Sequence, residues 1–207
     1  MKWNRLSTKL MSAVGAAALL SMGIFAWVSI TTQREQLVNE VLRSASQFSD
    51  TVKRSTRHAM LENQWEIAYH IMDAIGRQEG VDRVRVFSKE GLILFSTAPG
   101  EKGKVVDKRA ESCYACHAVE RPLERLDVPE RARIFRGGSA SRVLGMITPI
   151  YNEPSCSVGG CHNPSQRVLG VLDIGLSLAQ VDADIAVVTR KIALFAGAMI
   201  LLILGIL

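Results

Sequence analysis

Histidine and cysteine are both scarce, at four residues each in a chain of 207. Their placement is uneven: all four cysteines lie between residues 113 and 161, and only two histidines stand outside the motifs that hold those cysteines. Charge is missing altogether from two long runs, the 21 residues from Leu10 to Ile30 and the 16 residues from Ile192 to Leu207. A basic face is missing too. Although the net charge is +5, Lys2, Arg5 and Lys9 precede the first uncharged run, leaving 22 basic residues against 20 acidic ones in the remainder. That near-balance argues against nucleic acid as a partner, because counterion release requires clustered cations. The length suits about one domain plus attachments.

The cysteines fall into two sets, Cys113-Tyr-Ala-Cys116-His117 and Cys156-Ser-Val-Gly-Gly-Cys161-His162. The first is the C-x-x-C-H pattern of covalent c-type haem attachment, in which two thiols form thioethers to the porphyrin vinyl groups and the adjacent imidazole ligates the iron. The second keeps the order with a wider spacing. With histidine at 4 of 207 positions, one directly after a given cysteine pair has odds of about one in fifty, yet it occurs in both sets. Two attached haems are therefore expected, held by Cys113, Cys116, Cys156 and Cys161, with His117 and His162 as proximal ligands. Two simpler readings remain open: one four-cysteine zinc site, or two disulfides in an exported segment. Neither uses the histidines.

Taken in order, the chain starts with a membrane-length run. At about 1.5 Å per residue, Leu10–Ile30 as a helix crosses a hydrocarbon core of roughly 30 Å. Lys2, Arg5 and Lys9 hold its N-terminus in the cytoplasm. The run is long for a signal-peptide core and Ala26-Trp-Val-Ser29 has no small-x-small cleavage pattern, so an uncleaved anchor is expected, with Thr31 onward exported. Thr32 to about Gln78 reads as one long helix or two in line. Leu37, Val41, Ala45, Phe48 and Val52 form a narrow apolar stripe suited to a helix partner, which predicts a homodimer seam. Leu61, Trp65, Ala68, Met72 and Ile75 form the wider stripe of a helix packed on a sheet.

The two remaining histidines sit in His58-Ala-Met60 and His70-Ile-Met72. Low-spin c-type haems take a second axial ligand, usually histidine or methionine, which makes Met60, His58 and His70 the candidate distal ligands. Met72, by its stripe position, is core. Val81–Ser88 and Leu92–Ser96 alternate around the turn Lys89-Glu-Gly91 and predict a hairpin. Lys102, Lys104, Lys108 and Arg109 precede the first motif and are candidates for pairing haem propionates, with solvated loop charges as the plainer alternative. Pro122–Arg133 reads as a short polar helix or turn, and Ile134–Arg136 with Gly137-Gly138 as a strand and turn. Arg142-Val-Leu-Gly145 and Arg167-Val-Leu-Gly170 repeat on either side of the second motif and predict neighbouring strands joined by that loop, their glycines marking a bulge or the close approach of a large ligand. Met146 is expected in the core. Leu178–Lys191 is again helical. Ile192–Leu207 then predicts a second membrane helix, cut short where the chain stops.

The membrane run, the long helix, the hairpin from Val84-Arg-Val-Phe-Ser to Leu92-Ile-Leu-Phe-Ser, Gly103-Lys-Val-Val-Asp107, the haem motifs and the closing apolar run together resemble the periplasmic c-type haem sensor domains of bacterial sensor histidine kinases and chemotaxis receptors. The resemblance covers nearly the whole chain. It implies an α+β, PAS- or Cache-like fold, an antiparallel sheet with a long N-terminal helix, flanked by two transmembrane helices in the inner membrane. The division expected is 1–30 as stub and first span, 31–191 as periplasmic dihaem domain, and 192–207 as the start of the second span. The function implied is sensing of redox state or a small gaseous ligand, reported to a cytoplasmic transmitter beyond the second span. Members with a single C-x-x-C-H are the better known, so the C-x-x-x-x-C-H set is an addition. The alternatives of another class are a membrane-anchored dihaem cytochrome that exchanges electrons with a redox partner, and a zinc-stabilised binding module.

Overall fold

A computed structural model describes residues 3–107, 117, 128–137, 141–158 and 161–206. They divide into two compact units, one of residues 1–39 with 181–207 and the other of residues 40–180. The first unit holds both long uncharged runs. Helix α1, Trp3–Leu61, begins in it, and helix α4, Ala179–Ile206, belongs to it almost entirely. Both helices are long and apolar enough to cross a membrane, over Lys9–Leu61 and Ala179–Leu202. Their apolar side chains face outward: Leu20, Phe25 and Trp27 on α1 and Leu194, Phe195 and Leu201 on α4 are each more than 60% exposed. Surfaces of that kind suit lipid and are costly in water.

The second unit is an α+β domain. Its strands are β1, Val81–Ser88; β2, Ile93–Ser96; β3, Ala132–Arg136; β4, Arg142–Tyr151; and β5, Val168–Ser177. They form one sheet in the order β2-β1-β5-β4-β3, every neighbouring pair antiparallel. The hairpin turns where expected: Gly91 takes a φ of 91°, and the Ser88 hydroxyl accepts the Glu90 and Leu92 amides. The two Arg-Val-Leu-Gly repeats contribute to β4 and β5, which pair along nearly their full length. Gly170 is close-packed, but against the chain itself. A Cβ there would lie 2.4 Å from the Phe87 carbonyl oxygen on β1, so the glycine admits a neighbouring strand and not a large ligand.

One sheet face carries Val84, Val86, Leu172 and Ile174 and is covered by Val52 and Ala59 of α1 and by Ala68 and Met72 of helix α2, Trp65–Gly76. Ser49 adds a buried hydrogen bond to Thr148, oxygen to oxygen 2.6 Å. Here the sequence stripes need correction. Ala45 and Val52, expected in a seam with a helix partner, are 1% exposed, and Phe48 packs against the chain's own core. Leu61 and Trp65, expected on the sheet, are 38% and 42% exposed. The helix break explains the shift. Asn63 at φ 57°, with Gln64 N–H donating to the Ala59 carbonyl and Asn63 N–H to that of Met60, forms the left-handed cap of a Schellman motif and ends α1. Met72 and Met146, both 1% exposed, are core as expected.

The opposite face is buried as well, and it holds charge. Arg85 of β1 and Asp173 of β5 are register partners, 6% and 4% exposed, joined from Nε at 2.8 Å and Nη2 at 2.7 Å to Asp173 Oδ2. The Arg85 guanidinium lies 4.9 Å from the Phe87 ring centroid. Glu101 bridges to Arg83 at 3.1 Å and takes a hydrogen bond from the Ser96 hydroxyl at 2.7 Å.

Candidate functional site

The second motif occupies the connection from β4 to β5, and its sequence dictates a closed loop. Asn152 N–H donates to the Arg167 carbonyl at 2.9 Å, closing the neck directly beyond the last strand pair. The Asn152 side chain then staples the loop: Nδ2 donates to the carbonyls of Asn163 at 2.9 Å and Gln166 at 2.8 Å, while Oδ1 accepts from the Ser157 hydroxyl at 3.2 Å. Pro154 opens the one-turn helix α3, Pro154–Ser157, at the position where a missing N–H costs nothing. On the return limb Asn163 Oδ1 accepts from the Ser165 amide and hydroxyl, making an Asx turn.

Cys156 lies on α3, half-buried, and Cys161 is exposed; both are free thiols. His162 is half-buried. Two unpaired thiols followed by an imidazole, on a loop whose backbone is held by its own side chains, fit covalent haem attachment without breaking a buried interaction. In the first motif Cys113 and Cys116 lie outside the described residues, as do Lys108, Arg109, Gly138 and the first half of Pro122–Arg133, whose second half is a 3-10 turn, Val128–Arg131, and the start of β3. His117 is described and half-buried. Among the described residues no three of His, Cys, Asp and Glu converge as a metal-ion site.

The candidate distal ligands differ in environment. His58 is exposed in the last turn of α1, His70 is exposed on α2, and Met60 is half-buried against the core cluster. Lys102 Nζ stands 5.6 Å from the Tyr69 ring centroid, and Tyr69 stacks on Phe95 at 5.0 Å. Burial pushes the Tyr69 hydroxyl above its ordinary value of 10.0.

Sequence reasoning missed one element. Arg57, the residue before His58, donates from Nη2 at 2.6 Å and Nε at 3.1 Å to Glu153 Oε2, and from Nη2 to Ser155 Oγ at 2.9 Å. The motif loop is thereby fastened to the end of α1 one residue ahead of Cys156. Asn152-Glu-Pro-Ser155 carries a legible loop-to-helix signal, a proline at the first helical position. Nothing local marks Arg57, whose partner is 96 residues away. With side chains 45% and 52% exposed, the ion pair contributes about 0–1 kcal/mol.

Fold and site thus define an α+β chain with a five-stranded antiparallel sheet and two helices fit to cross a membrane. Compared with models of known families and with curated proteins, the chain matches none.

Proposed function

We propose that the chain is the sensing portion of a bacterial inner-membrane protein, with a PAS- or Cache-like periplasmic domain that carries two covalent c-type haems and signals to a cytoplasmic output partner, as a homodimer. The observation that carries this reading is the pair of Cys/Cys-His sets, of which the described one presents two free thiols and an imidazole on a stapled surface loop. When bound, haem supplies an iron centre that takes up one electron or a small axial ligand. Cys156 and Cys161 tether it, and His162 orients it through the ring nitrogen. Helix α1 runs from Trp3 to Leu61, so a single helix carries both a membrane-length stretch and the residue that grips the motif loop. Sensing requires only that two arrangements of such an element differ in how well they permit iron ligation, since a ligand shifts an equilibrium by no more than its differential affinity. A second apolar helix, α4, favours signalling over simple electron carriage, for which one anchor suffices.

The test is whole-protein mass with a pyridine haemochrome spectrum on chain expressed with a c-type cytochrome maturation system. Two haems are expected, falling to one in Cys156→Ser/Cys161→Ser. A mass without haem, or with bound zinc, overturns the reading. Single Met60→Ala, His58→Ala and His70→Ala variants then show which side chain is distal by the change in the ferric and ferrous spectra.

A further inference from the structure

The clasp between Arg57 and the motif loop has the wrong properties for a stability device. It is solvent-exposed, it joins segments 96 residues apart, and the loop's own fold is already secured by Asn152 and Asn163. It also differs from ordinary surface pairs in form. Two donor nitrogens of one guanidinium converge on Glu153 Oε2, and Nη2 also donates to Ser155, so the planar fork sets direction as well as distance. The acceptors lie within three residues of Cys156, Glu153 at the N-cap of α3 and Ser155 in its first turn, and the donor sits in the turn of α1 that holds His58 and Met60.

We propose that Arg57 is the positioning residue of the second motif: it holds α3, the turn that carries Cys156, against the end of α1, and through that hold the state of the group on the motif and the order of the last turns of α1 depend on each other. The inference rests on the proposed haem reading. A change of charge or ligation at His162 alters how the loop is seated, and any change that loosens the seat loosens Arg57. By reciprocity, freeing α1 from Glu153 and Ser155 changes the group on the loop by the same factor.

The experiment uses the full chain in lipid nanodiscs, with haem content counted by mass first, so that a chain lacking the second haem defeats the haem reading before Arg57 is tested. Amide hydrogen exchange is then followed in ferric protein and in protein reduced with dithionite. In the native chain, amides of residues 57–64 and 153–158 are expected to exchange at rates differing by about two- to fivefold between the two states, the range of one exposed ion pair. Arg57→Ala abolishes that difference in residues 57–64 and shifts the spectrum and midpoint potential of one haem, while the haem count stays at two. Arg57→Lys, which keeps the charge but not the fork, restores the difference in part, and Arg57→Glu with Glu153→Arg restores more than either single variant. The proposal is overturned if the native chain shows no difference at residues 57–64, or if the difference and both midpoint potentials survive in Arg57→Ala.

Discussion

Replacing Arg85 with methionine tests whether the second face of the sheet is as closed as its burial indicates. Arg85 and Asp173 side chains are 8% and 5% exposed, and the guanidinium lies over Phe87. Removing the cation takes a buried positive charge away from Asp173, whose register partner on β4 is Ile147, 3% exposed, and from Glu101 Oε1 at 3.8 Å. Breaking a buried pair from one side costs about 3–5 kcal/mol, whereas replacing both partners by apolar groups of similar volume is often neutral. The pair is central, joining β1 to β5 in mid-sheet, so the loss belongs to the whole domain. At 1.36 kcal/mol per factor of ten, Arg85→Met lowers the exchange protection of the slowest β1 and β5 amides by about two to three and a half orders of magnitude. Arg85→Met/Asp173→Leu recovers most of it. Hydrogen exchange by mass spectrometry on the reconstituted chain reads both numbers. Loss of protection below tenfold in the single variant shows that water reaches the pair, and a double variant no better than the single shows that the ion pair is not what the site requires.

Gly170→Ala forces a Cβ to within 2.4 Å of the Phe87 carbonyl, a backbone atom that cannot turn aside, and lowers the thermal midpoint through a cost of about 1–3 kcal/mol. Tyr69 is favoured protonated in the fold, so its contribution is full below pH 10.0 and is lost as pH rises through its higher folded value; Tyr69→Phe removes that part of the alkaline decline in a denaturation series. In membranes, Val41→Cys crosslinks between copies and Phe48→Cys, packed against the chain's own core, does so far less; equal yields would mean that α1 does not rest on the sheet.

The hairpin was legible because its strands are written in local pattern around a local turn at Gly91, and the β4–β5 pair because the same Arg-Val-Leu-Gly is echoed on either side of a long loop. The long helix was legible in extent but not in orientation. Its buried line runs through Ala45, Ser49, Val52, Thr56 and Ala59; the stripe caught Ala45 and Val52 but passed over the two hydroxyl residues, which are satisfied by Thr148 for Ser49 and by the Val52 carbonyl for Thr56. Asn63 as a left-handed cap was readable in principle. The two Cys/Cys-His sets stood out by spacing alone, while the grip of Arg57 on the loop of the second set exists only once distant segments meet.

That Ser49–Thr148 contact gives α1 a fixed stop. The small side chains on the buried side of the helix present a smooth track, along which a displacement by one turn would bring Ala45 or Val52 opposite Thr148. Neither side chain can accept or donate, so the Thr148 hydroxyl would lose its partner out of water, at about 1–3 kcal/mol, while Ser49 can turn back to a carbonyl of its own helix as Thr56 does. Intermediate positions gain nothing. A helix held this way has one favoured height on the sheet, and the cost of leaving it is set by the Thr148 hydroxyl.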